Sequence, residues 1–359
     1  MSAYTTIDNP ELYFQVKTYT GDGNDDRNIV FDVTDTSLQP DLLWSARRDS
    51  GDNLSIYDSV RGDGKELRTA ETGGSYDRSD NIQALNSNGF QVGTDGQVNA
   101  SGGTYVSWAW KAGTAFSNDA SATSVGNTDS SGSASSTAGF SIAIYEGVGA
   151  SLDIVVKHGL SAVPKWYITK NLDDANNWSV YHHKNTSAPE TDYLRLDTDT
   201  ATTDEATIWA DTAPTSAVFT AGDHSSSNRA GDSFVGYFWN EVQGYSKFGT
   251  FTGNGNDDGP FVYTGFRPAW TMIKCTSAAD HWPIDDNKRS TSNFMQNTLR
   301  ANLNNAEYTG SAYGIDFLSN GFKVRNDDGQ YNLSGGTFVY MAFAEQPFVN
   351  SNGVPCNAR

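Results

Sequence analysis

The stretch Asn99-Ala-Ser-Gly-Gly-Thr-Tyr-Val-Ser-Trp-Ala-Trp110 returns as Asn332-Leu-Ser-Gly-Gly-Thr-Phe-Val-Tyr-Met-Ala-Phe343. A weaker copy runs Asn228-Arg-Ala-Gly-Asp-Ser-Phe-Val-Gly-Tyr-Phe-Trp239. Each copy has a turn-forming head followed by aromatic and β-branched residues, the composition of a strand entered from a tight turn. Self-similarity of this kind marks repeated structural units. The first two copies stand farther apart than the last two, and the excess matches a Ser/Thr/Gly/Ala-rich insert at about 112–138.

Other blocks keep the same order around these three. Thr18-Tyr-Thr-Gly-Asp-Gly23, Ile144-Tyr-Glu-Gly-Val-Gly149 and Thr250-Phe-Thr-Gly-Asn-Gly255 open the copies. A proline then precedes alternating apolar residues: Pro40 with Leu42 and Trp44, Pro164 with Trp166 and Ile168, Pro268 with Trp270 and Met272. Alternation of period two after a proline reads as a half-buried strand. Leu67-Arg68, Leu194-Arg195 and Leu299-Arg300 follow. Asn88-Gly-Phe-Gln-Val92 is echoed by Asn320-Gly-Phe-Lys-Val324 and more faintly by Ala217-Val-Phe219. Asn-Gly ahead of such a run signals a turn into a strand.

The expected fold is all-β: three tandem antiparallel β-sandwich units of jelly-roll or concanavalin-like type, with no convincing amphipathic helix. The units are placed at 13–111, 139–243 and 244–348, with a linker at 112–138 and arms at 1–12 and 349–359. The linker composition is that of a flexible tether, and it is expected to pack along a neighbouring unit or subunit. End-to-end sandwiches would make a rigid rod.

Composition narrows the function. The 359-residue chain carries a formal net charge of −19, the wrong sign for a nucleic-acid binder, whose affinity depends on neutralising phosphates. No apolar run is long enough to span a bilayer, and Met-Ser-Ala-Tyr-Thr-Thr lacks the features of a secretory leader. Cys275 and Cys356 are too few and too far apart for a disulfide framework. Cys275 falls in a predicted strand and reads as a small buried apolar residue.

Several side-chain groups invite a chemical reading. Asp22, Asp25 and Asp26 lie in one Gly-rich turn, and Asn254, Asp257 and Asp258 in its counterpart. Such oxygen clusters are the ligand set that Ca²⁺ prefers, although the spacing is not that of an EF-hand; a polar strand connection is the alternative. Asp58 with Arg61, and Asp286 with Arg289, form a repeated pair read as turn-stabilising and solvent-exposed, with a carbohydrate or carboxylate clamp as the functional alternative. His182 and His183 occupy the same place in the middle copy but point to opposite strand faces, and with His158, His224 and His281 give no metal-ligand spacing. No catalytic or cofactor motif stands out, so no enzyme and no cofactor beyond calcium is expected. Trp178, Trp209 and Trp282 fall outside the clearest alternating runs and are the candidate surface aromatics for glycan or partner binding.

The segments Tyr245-Ser-Lys-Phe-Gly-Thr-Phe-Thr-Gly-Asn-Gly255, Gly259-Pro-Phe-Val-Tyr-Thr-Gly-Phe-Arg-Pro268, Leu38-Gln-Pro-Asp-Leu-Leu-Trp44, Tyr57-Asp-Ser-Val-Arg-Gly62 and Ser319-Asn-Gly-Phe-Lys-Val324 resemble a repeated domain of unknown function. That domain occurs in virion structural proteins of marine tailed bacteriophages such as cyanophages and pelagiphages. The resemblance covers roughly 13–348 and carries no catalytic residues. It implies a tail fibre or tail-tip subunit engaged in host attachment, assembled in the bacterial host cytoplasm and resident in the virion tail. Its implied partners are other virion subunits, further copies of itself (a trimer by preference) and a host-surface glycan or protein receptor, with no nucleic acid and no membrane insertion. A capsid decoration or head-fibre protein and a glycan-binding lectin-like module are the alternatives.

Overall fold

The computed structural model describes residues 4–31, 36–149 and 152–357. Its regular structure is almost entirely antiparallel strand, and its α-helices are single turns of four residues. No helix among the described residues is long and apolar enough to cross a membrane. The outermost ends of both arms, and Ala150-Ser151 of the middle Gly-rich turn, lie outside the described residues.

The strands form three large sheets and three small ones. The first large sheet runs, edge to edge, Phe14–Thr20, Thr104–Trp110, Leu42–Arg47, Ser55–Asp58, Lys65–Arg68 and Tyr76–Asp77. The last repeats that order with Ser246–Thr252, Thr337–Pro347, Phe266–Cys275, Pro283–Asp286, Asn297–Arg300 and Tyr308–Thr309. The middle one repeats it from Phe140–Glu146 onward and is widened by two edge strands, Thr114–Asn118 and Ser130–Ser135. Those two come from the Ser-rich insert, whose second strand pairs antiparallel with Phe140–Glu146. The insert has the composition of a tether, and its expected packing along a neighbouring unit is made by backbone pairing to that unit's open sheet edge.

Each large sheet carries a small sheet on one face. In the first set Arg27–Val30, Gly89–Val92 and Ile82–Asn86 bury Ile29, Phe90 and Val92 against Leu43, Tyr57 and Ala109. The third set uses Phe261–Tyr263, Gly321–Val324 and Ile315–Leu318 in the same way, and the middle set only Ile154–Lys157 and Val218–Ala221.

The opposite faces of the three large sheets meet one another. Trp44, Trp108 and Trp110 from the first set, Trp166, Trp178 and Trp239 from the second, and Trp270, Trp282 and Phe343 from the third belong to one buried cluster. Ring contacts link every pair of sets: Trp110 to Trp239 at 6.3 Å, Trp110 to Trp270 at 5.6 Å, and Trp166 to Trp282 at 6.1 Å. The rod expected from the sequence is therefore replaced by three units around a shared centre. The reason is physical: both faces of each large sheet are apolar, and only packing the units together removes the second face from water. Each such ring buries about 150–250 Å², so separating the units would expose a large apolar area.

The joints repeat around this centre. Ser75 N–H donates to Leu172 O at 2.7 Å, Thr202 N–H to Thr276 O at 3.0 Å, and Glu307 N–H to Arg48 O at 2.8 Å. These are equivalent positions, reached from unit 1 to unit 2, unit 2 to unit 3 and unit 3 to unit 1. Head-to-tail contacts that close after three steps form a ring, made here within one chain.

Candidate functional site

The repeated Asn at the head of each block has a structural task. Asn99, Asn228 and Asn332 are buried, and each side chain holds the Gly-rich turn of its own unit. Asn99 Oδ1 accepts from Asp22 N–H and its Nδ2 donates to Asn24 O; Asn332 does the same with Asn254 N–H and Asn256 O. Asn228 Oδ1 accepts from Val148 and Gly149 N–H. The two glycines of each turn follow from this clasp. At Gly21, Gly147 and Gly253 a Cβ would collide with the carbonyl oxygen of Ala100, Arg229 or Leu333, and Gly23, Gly149 and Gly255 have positive φ.

The candidate calcium ligands sit on these clasped turns, engaged with protein groups. Asp22 pairs with Arg27 at 3.3 Å and accepts from Asn24 N–H, Asp25 accepts from Asp26 N–H and Gln83 Nε2, and Asp258 pairs with Lys323 at 2.7 Å. Asn254 bonds Asn332 and Asp258 O. Asp257 lies beside them on the exposed turn. Among the described residues no group of three or more His, Cys, Asp and Glu side chains stands close enough to hold a metal.

The candidate surface aromatics are not on the surface. Trp178, Trp209 and Trp282 are each 0% exposed. Trp178 Nε1 donates across the first joint to Arg68 O and Glu71 O, and Trp282 Nε1 across the second to Arg195 O and Thr198 O. Trp209 lies in the core of its own unit and donates to Asp192 O. Trp178 and Trp282 stand just ahead of four-residue strands and Trp209 ends a one-turn helix, where alternation is too brief to show, and inter-unit packing buries two of them.

The two Asp-Arg pairs also lie inside the molecule. Asp58 and Asp286 each accept two backbone N–H bonds through Oδ1, from Val60 and Arg61 and from Lys288 and Arg289, which closes the turn. Their Oδ2 atoms meet Arg61 and Arg289 and reach into the neighbouring unit. Asp58 accepts from Tyr237 O–H at 2.7 Å, and Asp286 from Trp108 Nε1–H at 3.0 Å. The pairs are thus buried joint elements, not exposed ones. In the middle unit His182 takes the turn role, accepting from Lys184 N–H through Nδ1. Burial, then His183 and Lys184 beside it, hold His182 well below its ordinary pKa, so it is neutral there.

Other displaced titrations follow burial too. Lys170 and Lys274 are lowered to about 8, and each ammonium bonds carbonyls across a joint: Thr72 O for Lys170, Asp199 O for Lys274. His158 is lowered to about 4, and Asp285, which accepts from Tyr331 and Thr298 hydroxyls, is raised to about 6. Cys275 is buried and free. These groups are dispersed through the interior, and they order and join units.

One surface escaped the sequence reading. Where units 2 and 3 meet, Phe261 and Tyr263 stand 47% and 52% exposed on either side of buried Val262, beside Lys184 and Lys247. The signal was legible as two aromatics on the solvent side of a short alternating run.

No curated protein and no solved structure matches the chain. One family profile does, over residues 9–347, from just before the first strand to the end of the last and across all three units, so the chain belongs to the family described as a domain of unknown function, DUF7483.

Proposed function

We propose that this chain is a structural protein of a tailed-bacteriophage virion, a tail fibre or tail-tip subunit engaged in host attachment. In this reading each pair of sheets is a β-sandwich of jelly-roll type, and three sandwiches are fused into one ring. A single observation carries it: the buried ionic and aromatic groups are engaged in locking units together. Asp58 and Asp286 reach across joints to Tyr237 and Trp108, and the indoles of Trp178 and Trp282 do the same toward carbonyls. Such an interior suits a load-bearing part. Partners are then other virion subunits on the outer faces, together with further copies of the chain in a homotrimer.

The test is to label the chain on purified particles and image them. Label on the tail supports the proposal. Label confined to the capsid shell replaces it by the decoration or head-fibre reading, and particles lacking the chain overturn it. Sedimentation of the purified chain reads the trimer separately, and a monomer at micromolar concentration removes that part.

A further inference from the structure

We propose that the cleft between Lys184 and the Phe261–Tyr263 strand is a saccharide-binding site that takes a sugar bearing a carboxylate. The cleft has a volume of about 270 Å³. Phe261 and Tyr263 are two residues apart on one strand and so project to the same side, and they rank among the exposed large hydrophobic residues. Side by side, the two exposed rings offer an apolar face for stacking. The feature is peculiar to unit 3. The register that pairs Val262 with Phe322 pairs Ile29 with Phe90 and Val156 with Phe219, which puts Asn28 and Val30, or Val155 and Lys157, where unit 3 has its aromatics.

The platform is held in place. Tyr4 O–H donates to Gly265 O at 2.8 Å and its oxygen lies 3.3 Å from the Tyr263 hydroxyl, while Phe251, also in the cleft, stacks on Phe338 at 4.9 Å. A pre-ordered ring face costs little further entropy on binding. Its negative quadrupole favours the polarised C–H face of a pyranose, which presents hydroxyls at its rim.

Charge sets the class of sugar. Lys247 is paired with Glu241 at 3.0 Å, whereas the Lys184 ammonium makes no ion pair or hydrogen bond among the described residues. Lys184 belongs to unit 2 and is positioned by its neighbour His183, whose Nε2 lies 2.8 Å from Phe248 O. A lone cation beside two exposed rings suits one carboxylate on a stacked ring, and a uronic acid is the simplest sugar that carries one. The Glu241 carboxylate beside the cleft is held by Lys247 and by Phe248 N–H, which leaves the Lys184 ammonium to an incoming carboxylate.

The assignment stands on the cleft alone and survives loss of the virion reading, since it concerns the purified chain. The full chain is titrated with oligogalacturonate and with a neutral cello-oligosaccharide of equal length, followed by saturation-transfer NMR and calorimetry. Oligogalacturonate is expected to bind more tightly than its neutral analogue. Phe261→Ser should weaken both by about tenfold, and Lys184→Gln should weaken only the acidic one, by about fivefold. Melting curves establish that each variant folds; Lys184 is exposed, so its variant stays informative if the strand variant does not fold. Absence of binding to both saccharides at about 10 mM, or equal binding by parent and Lys184→Gln, overturns the proposal.

Discussion

Two of the three joints in the ring are built alike, and the third is built differently. At the joints where unit 2 meets unit 1 and unit 3 meets unit 2, a buried lysine and a tryptophan face the neighbour: Lys170 with Trp178, Lys274 with Trp282. Where unit 1 meets unit 3, the same positions hold Ala46 and Leu54. That joint instead uses ions. Arg48 donates to both oxygens of Glu307 at 3.0 and 2.8 Å, Glu307 also receives Arg289, and Thr69 O–H donates to Ala301 O at 2.6 Å. The backbone bond is kept at all three. One geometry is therefore satisfied by two chemistries, and what the ring requires is a filled, hydrogen-bonded joint.

Substitutions can break this comparison. The largest effect is expected from Arg289→Met, which leaves the Asp286 and Glu307 carboxylates buried with a partner removed. A loss of about 3–5 kcal/mol in urea unfolding is expected. Arg61→Met should cost less, because Arg61 meets one carboxylate, Asp58, and the Ser75 hydroxyl, where Arg289 meets two carboxylates. Equal losses would mean that Glu307 adds nothing to the third joint. Next comes Leu54→Ala, which empties the place that Trp178 and Trp282 fill elsewhere, with an expected loss of about 3 kcal/mol. A loss below about 1 kcal/mol would show that the ionic contacts alone hold that joint.

Smaller changes sharpen the same contrast. Trp178→Phe and Trp282→Phe keep a six-membered ring in place and remove the pyrrole edge with its bonds to neighbouring carbonyls. Each should cost about 1 kcal/mol, and a larger loss in one would break the equivalence of the two alike joints. The last contrast is pH. Lys170 and Lys274 have folded pKa values near 8, below the ordinary 10.5. Between these values the unfolded chain binds more protons, so stability contributed by these groups rises with pH. The parent should therefore gain on a Lys170→Met/Lys274→Met variant as pH climbs from 8 to 10.5. A flat difference would show that the two lysines titrate as if in water. The third joint, with Ala46 in that position, has no corresponding lysine to contribute.

Much of the local structure was readable in the chain. The block beginning at Asn99, Asn228 and Asn332 enters an interior strand of each large sheet, and the Gly-x-Gly turns ahead of it are the loops that those asparagines clasp. Asn88-Gly and Asn320-Gly close hairpins between Ile82–Asn86 and Gly89–Val92, and between Ile315–Leu318 and Gly321–Val324. The candidate sites were harder to read, because a tryptophan or an Asp-Arg pair looks the same in sequence whether water or another unit covers it. Trp178, Trp282 and Asp286 were misplaced for that reason. Phe261 and Tyr263 were passed over for the converse one, since aromatics in a strand are buried by default.

The sequence by itself determined that the chain is built of antiparallel strands, that the pattern comes three times, and where turns must fall. Those facts rest on period-two alternation, turn chemistry and glycine's access to positive φ, all of which act over a few residues. Only the tertiary structure decided that the copies close on one another around a common aromatic core. Alternation reports that a strand has a buried face, and a strand buried on both faces reads much the same whether its second cover is a sheet of its own unit or of the next. Closure depends on the summed area of three distant sheets and on bonds such as Glu307 to Arg48. No local window of the sequence contains both partners.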